Sequence, residues 1–260
     1  MMDFEQIKTW FPVNFQQKQY ARFILREYLQ YQILDFLSNS KYAKHLCFIG
    51  GTNLHLIHGI DRFSEDLDFD HKEISQNDFM DLTNSVVRFL KKSGYSVMAD
   101  DKEKDKELAT FRRSIVFPEF LFLQKLSPYK DEKFLIKFEI QNQGISYTPE
   151  KVLVRGCGFI FRLNTPPLSV LCSMKISALL NRSKGRDFFD TMFLLEKTDP
   201  DYNFLSEATG IKTKEQLKQT LLSLCEVVKI KHKSKDFEHL LFNSMQTNRI
   251  LLFKEFVEMW

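Results

Sequence analysis

The chain has 260 residues, 43% hydrophobic and 27% charged, the balance of an ordinary globular protein with one or two buried cores. Nine glycines and seven prolines exclude collagen-like and Gly/Pro-rich disordered classes, and 26 phenylalanines allow a large aromatic core. A formal charge of +3 by itself announces neither a nucleic-acid nor a membrane partner. No apolar run approaches the ~18 residues of a membrane helix. The opening MMDFEQIKTWF carries Asp3 and Glu5 where a signal peptide would be basic and then apolar. Cys47, Cys157, Cys172 and Cys225 lie far apart without C-x-x-C spacing, so a cytoplasmic chain with reduced thiols and no structural zinc is expected.

In chain order, the first 40 residues read as helix, with Phe23, Ile24, Tyr28, Tyr31, Leu34 and Leu37 at three- and four-residue steps. The apolar run HLCFIGG follows, then a helix at 53–58, then an acidic stretch from Asp61 to Asp81. Residues 78–92 return to helical spacing and stop at Gly94. The run at 100–107, DDKEKDKE, reads as a solvated loop. Strand patterns occupy 109–117, 133–141 and 152–163, the last interrupted by glycines. Along 133–140, Phe134, Ile136, Phe138 and Ile140 face one way, and Lys133, Leu135, Lys137 and Glu139 the other. Asn164 or Thr165 is a plausible cap for helices expected at 167–182, 186–196, 213–229, 236–245 and 247–258.

The chemistry concentrates in CFIGGTNLHLIHGIDRFSEDLDFD, residues 47–70. Extended, it places Ser64, Asp66, Asp68 and Asp70 on one face, with Leu67 and Phe69 in the core. Two carboxylates so spaced can grip divalent cations, as phosphoryl transfer often requires. Upstream, Gly50, Gly51 and Thr52 lie between an apolar strand and a helix, where backbone N–H groups can approach phosphate oxygens. Asp-x-Asp alone carries little weight: 17 aspartates give about one chance occurrence, and Asp199-x-Asp201 reads as a turn. The ordered set of Gly-Gly-Thr followed by Arg62-x-Ser64-x-Asp66-x-Asp68 is far more specific.

That stretch resembles the first motif of the AbiEii-type toxin nucleotidyltransferases, within the polymerase β-like nucleotidyltransferase superfamily. A second block, MKISALLNRSKGRDFFDTMFLLEK (174–197), is similar to the family's lysine, arginine and R-D-F/Y-x-D-L pattern at Lys175, Arg182, Arg186, Asp187 and Asp190. Thr191 stands where a leucine is usual. KFEI (137–140) resembles the strand carrying the family's third carboxylate, and NRILLFKEF (248–256) its closing helix. The resemblance implies an α/β fold, a mixed nucleotidyltransferase sheet with flanking helices over residues 1–164. A helical domain at 165–260 would complete the active-site cleft.

The resemblance further implies transfer of a nucleoside monophosphate from an NTP to an acceptor, tRNA or other RNA, by the toxin of a toxin–antitoxin pair. Asp66, Asp68 and Glu139 would hold two Mg²⁺, and Glu139 could accept the proton. Gly50, Gly51 and Thr52 would cradle phosphates, and Lys175 and Arg182, seven apart on one helical face, would meet the triphosphate. Asp187 would order Lys175 or the substrate, or simply favour its helix N-terminus. Arg62 is either a salt-bridge partner of the acidic strand or a nucleotide contact. A cognate antitoxin is expected and a membrane partner is not. A small-molecule or protein acceptor, or a non-catalytic nucleotide-binding regulator, stays open. His55-x-x-His58 has no third ligand beside it, and KIKHKSK (229–235) is a solvated helix end or part of a nucleic-acid contact. The charge is unevenly spread: residues 61–81 carry two basic and eight acidic groups, net −6, and residues 151–235 carry fifteen and eight, net +7.

Overall fold

In the computed structural model, which describes residues 1–100 and 110–260, the apolar run after His45 forms β1 (Leu46–Ile49) and the acidic stretch forms β2 (Leu67–His71). The sheet is completed by β3 (Met98–Asp100), β4 (Thr110–Val116) and β5 (Leu135–Gln141), in the order β1-β2-β5-β4-β3. Its strands pair antiparallel except for β2 and β5, which run parallel and so need the long connection that residues 72–134 provide. The alternation along β5 is realised. Ile136, Phe138 and Ile140 are 0% exposed, while Lys137 faces solvent and Glu139 is half-buried. The chain is therefore a mixed α/β protein with a five-stranded mixed sheet.

The described residues divide into two compact units. One comprises Met1–Ile57, Ser64–Gln143 and Lys151–Thr165 and contains the sheet. Across β1, β2 and β5, Phe48 packs tilted on Phe69 and Phe69 stacks on Phe138, with ring centroids 5.4 and 5.1 Å apart, each burial contributing ~2–3 kcal/mol. The helix α1 (Phe4–Ile7) is closed by a capping box from Asp3 and Gln6, and α2 (Ala21–Ser38) buries Ile24, Leu25, Leu29, Ile33 and Leu34 completely. Next come α3 (Gly50–Leu56) and α4 (Gln76–Lys92), the latter started by a Ser75–Asp78 capping box, then the short α5 (Phe120–Leu123). A two-stranded sheet, β6 (Glu150–Gly156) and β7 (Phe159–Thr165), completes the unit.

The other unit comprises His58–Phe63, Gly144–Glu150 and Pro166–Trp260. It is helical: α6 (Leu168–Arg182), α7 (Gly185–Leu195), α8 (Tyr202–Thr209), α9 (Lys214–Val227), α10 (Ile230–Lys233) and α11 (Phe253–Met259). Phe188 packs edge-on against Phe253 at 4.9 Å, and Phe189 against Phe237 at 5.5 Å. The segment His58–Phe63 is held here by its backbone, the Phe63 N–H donating to Leu240 C=O at 2.8 Å. Among the described residues, no helix is long and apolar enough to cross a membrane.

Several local expectations are corrected. The interrupted pattern at 152–163 is two strands, because Cys157 and Gly158 both adopt positive φ (49° and 81°) and make a two-residue hairpin turn. The first 40 residues include 3₁₀ turns at Lys8–Trp10, Val13–Phe15 and Lys18–Tyr20 before α2 begins. The helices expected at 236–245 and 247–258 are 3₁₀ over Ser234–Leu240 and Ser244–Leu252 before α11. Asp201, read as part of a turn, caps the unforeseen α8 by accepting from the Phe204 N–H at 2.9 Å. Neither Asn164 nor Thr165 caps α6: Asn164 donates to Ala43 C=O, and Thr165 accepts from Asn53. The loop expected at 100–107 lies outside the described residues from position 101 onward.

Candidate active site

The carboxylates come together because β2 and β5 are adjacent and parallel. Asp68 is the register partner of Glu139, so the two stand side by side on one face of the sheet. Asp66 lies one residue before β2 and is half-buried, as is Asp68, while Leu67 and Phe69 between and beyond them are at 0% and 1% exposure. Asp70, expected on the same open face, is only 5% exposed. Its Oδ1 accepts from the backbone N–H of His71 at 2.8 Å and of Gln143 at 3.0 Å, closing the far ends of β2 and β5. Glu139 is held from its other side by Arg112, its register partner on β4. Arg112 Nε donates to Oε2 at 2.7 Å and Nη2 to Oε1 at 3.3 Å.

The glycine turn serves these carboxylates differently from the sequence reading. α3 begins at Gly50, so Gly50, Gly51 and Thr52 are its first turn and not a loop ahead of it. Gly50 has φ +82°, and a Cβ there would fall 2.7 Å from Asp68 Cβ and 2.8 Å from Asp68 Cγ. Only a glycine lets the backbone pass this close to the carboxylate. Gly51 is buried, and Thr52 is completely so, with its hydroxyl donating to the Asp66 C=O. That hydroxyl, expected to face phosphate, instead fixes the backbone of a carboxylate-bearing residue. Next to it, Asn53 Nδ2 donates to Phe48 C=O and Thr165 Oγ1, both at 2.7 Å, tying α3 to β1 and the end of β7.

In the helical unit, α6 and α7 form an antiparallel hairpin turned at Ser183 (φ +47°) and cross-linked by charge. Arg182 donates from Nε and Nη2 to Asp187 at 2.9 and 2.7 Å, and Asp187 Oδ2 also accepts the Lys184 N–H at the start of α7. Asp187 is 0% exposed, so it is a buried cap and a partner of Arg182, not an exposed acid. Lys175, 8% exposed, donates to Asp190 Oδ2 at 2.8 Å. The carboxylate that orders Lys175 is thus Asp190, one turn beyond Asp187. Asp190 also receives Arg62 in a bidentate pair, Nε and Nη2 each at 2.7 Å, with Arg62 Nη1 on the Phe63 C=O at 3.0 Å.

Of the two roles left open for Arg62, the structure shows an ion pair, and with a helix of its own unit rather than with the acidic strand. Burial pushes the Asp190 carboxyl up, but Arg62 and then Lys175 outweigh it and hold the group well below the usual carboxylate range. Two cations on one carboxylate leave one formal positive charge in this buried cluster. His55, set aside as a metal ligand, lies with Nε2 2.8 Å from Glu27 Oε2. The 229–235 lysine run spans α10 and its flanks, where Lys229, Lys231 and Lys235 are exposed.

The sequence profile of the AbiEii nucleotidyl transferase toxins of type IV toxin–antitoxin systems matches residues 32–254. The chain belongs to this family. As an AbiEii toxin nucleotidyltransferase, it also shares its fold with solved structures of low sequence identity. It is similar to JHP933 from Helicobacter pylori, with 18% identity and a TM-score of 0.57, covering 91% of this chain and 90% of that one. It is likewise similar to the nucleotidyltransferase toxin MenT4 from Mycobacterium tuberculosis, with 13% identity and a TM-score of 0.58, covering 100% of this chain and 91% of that one. No curated protein matches it in sequence. Two charged residues of the clusters described above were not among the candidates read from sequence. Asp190 stood in the quoted family pattern, three residues after Asp187, without a role; Arg112 had only its place in the strand pattern 109–117 as a signal.

Proposed function

We propose that this AbiEii toxin transfers a nucleoside monophosphate from an NTP to an RNA acceptor, the 3′ end of a tRNA being the substrate to test first. The observation that carries the reading is the carboxylate rung: Asp68 in register with Glu139, Asp66 one step away, and the Gly50 backbone pressed against Asp68. Such a face suits Mg²⁺. Among the described residues, no three His, Cys, Asp or Glu side chains form a group ready to hold a metal. Mg²⁺ characteristically needs only one or two carboxylates, with substrate phosphate oxygens and water completing its shell. Asp66 and Asp68 would hold two such ions, with Glu139 as the third carboxylate. When bound, the ions would offset phosphate charge and favour the ionised form of the attacking hydroxyl.

The chain's own residues do the rest. Thr52 fixes the Asp66 backbone, and Gly50 leaves room for the Asp68 carboxylate. Glu139 would take the proton of the acceptor hydroxyl. In the helical unit, the positive charge left by Arg62 and Lys175 over Asp190 suits an anion such as a triphosphate, with Lys175 the less completely buried of the two cations. The net +7 of residues 151–235 suits a polyanionic acceptor.

Purified protein incubated with each labelled NTP, Mg²⁺ and total RNA is expected to label RNA. Label on protein or a small metabolite alone would overturn the RNA assignment. NTP binding without transfer to anything would overturn the catalytic one. Expression without the cognate antitoxin is expected to slow growth, and co-expression to restore it.

A further inference from the structure

Two consecutive arginines on β4 point to opposite faces of the sheet. Arg113 is buried and donates to Thr83 Oγ1 at 2.7 Å and Asn84 Oδ1 at 2.8 Å, locking β4 to α4. Arg112 lies on the carboxylate face, completing the rung Asp68–Glu139–Arg112 across β2, β5 and β4. Its guanidinium engages both oxygens of Glu139, and the two side chains are each about one-third exposed, at 33% and 31%. Asp66, Asp68 and Glu139 bring three carboxylates to this region; Arg112 engages Glu139, and Arg26 interacts electrostatically with Asp66. Glu139, the carboxylate that would complete a three-acid metal group, is the one that Arg112 engages.

We propose that Arg112 is a positioning residue with a restraining role. It fixes Glu139 beside Asp68 and, by offsetting one of the three charges, keeps the resting protein from capturing a divalent cation before the nucleotide arrives. Metal loading then depends on phosphate oxygens carried by the substrate. This rests on the reading of Asp66, Asp68 and Glu139 as the metal-binding face.

The test uses the full chain and Mn²⁺ as the probe, with free Mn²⁺ read by electron paramagnetic resonance in the absence of nucleotide. Arg112→Gln is expected to bind Mn²⁺ about three- to fivefold more tightly than the wild type, the scale of one partly exposed charge pair. Its transfer rate with saturating NTP is expected to fall, because Glu139 loses its anchor. Arg112→Lys keeps the charge without the two-point grip, so its Mn²⁺ affinity stays near wild type while the rate still falls. Adding Glu139→Gln to Arg112→Gln is expected to remove the gain in affinity. A merely structural arginine would give the opposite sign, weaker metal binding in step with a lower melting temperature. Unchanged or weaker Mn²⁺ binding in Arg112→Gln, with Asp68→Asn still abolishing it, overturns the role of Arg112 and leaves the metal face standing. Mn²⁺ binding that survives Asp68→Asn in both backgrounds overturns the metal face itself.

Discussion

Asp190→Asn probes the charge cluster of the helical unit at its least exposed member. The native carboxylate is 0% exposed and accepts three charge-assisted hydrogen bonds, two from Arg62 at 2.7 Å and one from Lys175 at 2.8 Å. Each such bond contributes ~1.5–3 kcal/mol, non-additively, and removing one partner of a buried pair costs ~3–5 kcal/mol because the remaining charge stays buried. The amide retains one acceptor oxygen but turns an NH₂ toward a cation, so a loss of about 3–4 kcal/mol at pH 7 is expected, lowering the melting temperature by ~10 °C. The pH dependence has a definite sign. Although burial raises it, the folded carboxyl is held below its unfolded value by Arg62 and Lys175. Its contribution is therefore full above the unfolded value near ~4 and is lost as the pH falls toward the folded value. By pH 3 the gap between wild type and Asp190→Asn should have shrunk by about 1 kcal/mol. Urea and thermal unfolding followed by circular dichroism at pH 7, 4 and 3 measure both quantities. A loss under about 1 kcal/mol at pH 7, or a gap that does not narrow in acid, would refute the reasoning. Replacing all three members (Arg62→Met, Lys175→Met, Asp190→Leu) should recover most of the stability, since no buried charge is then left alone.

Three further outcomes are expected. Asp66→Asn and Asp68→Asn should each lower NMP transfer by ~100-fold or more while leaving the unfolding midpoint within about 1 kcal/mol of wild type, as half-buried groups should; radiolabel transfer and calorimetry check the two halves. Gly50→Ala puts a methyl group onto the Asp68 carboxylate at a backbone φ of +82°, so it should cost ~1–3 kcal/mol and abolish transfer. A fully active Gly50→Ala would show that Asp68 does not need this close backbone approach. Arg182→Ala strips the guanidinium from Asp187, which is 0% exposed, and should destabilise the protein by ~2 kcal/mol, whereas Arg182→Lys should recover about half of that; parallel thermal melts decide it.

The sequence by itself determined the α/β class, the alternation of β5, the two charged motif blocks and the family, because each is local: a period of two, a glycine turn, or a spacing along one element. Leu67 and Phe69 had to point inward and Asp66 and Asp68 outward, whatever lay next to β2. What stands beside Asp68 is not local. Only the parallel pairing of β2 with β5 brings Glu139 alongside it, and only the antiparallel pairing of β4 adds Arg112. The same holds for the helical block. Spacing placed Lys175 and Arg182 on one face of α6, but the return of α7 decided that Arg182 meets Asp187 and Lys175 meets Asp190. Arg62, for which its sequence neighbours left open a salt bridge to the acidic strand or a nucleotide contact, is committed to Asp190, 128 residues away. A buried charge must find an opposite one, and periodicity names which residues need a partner; the packing of distant elements chooses it.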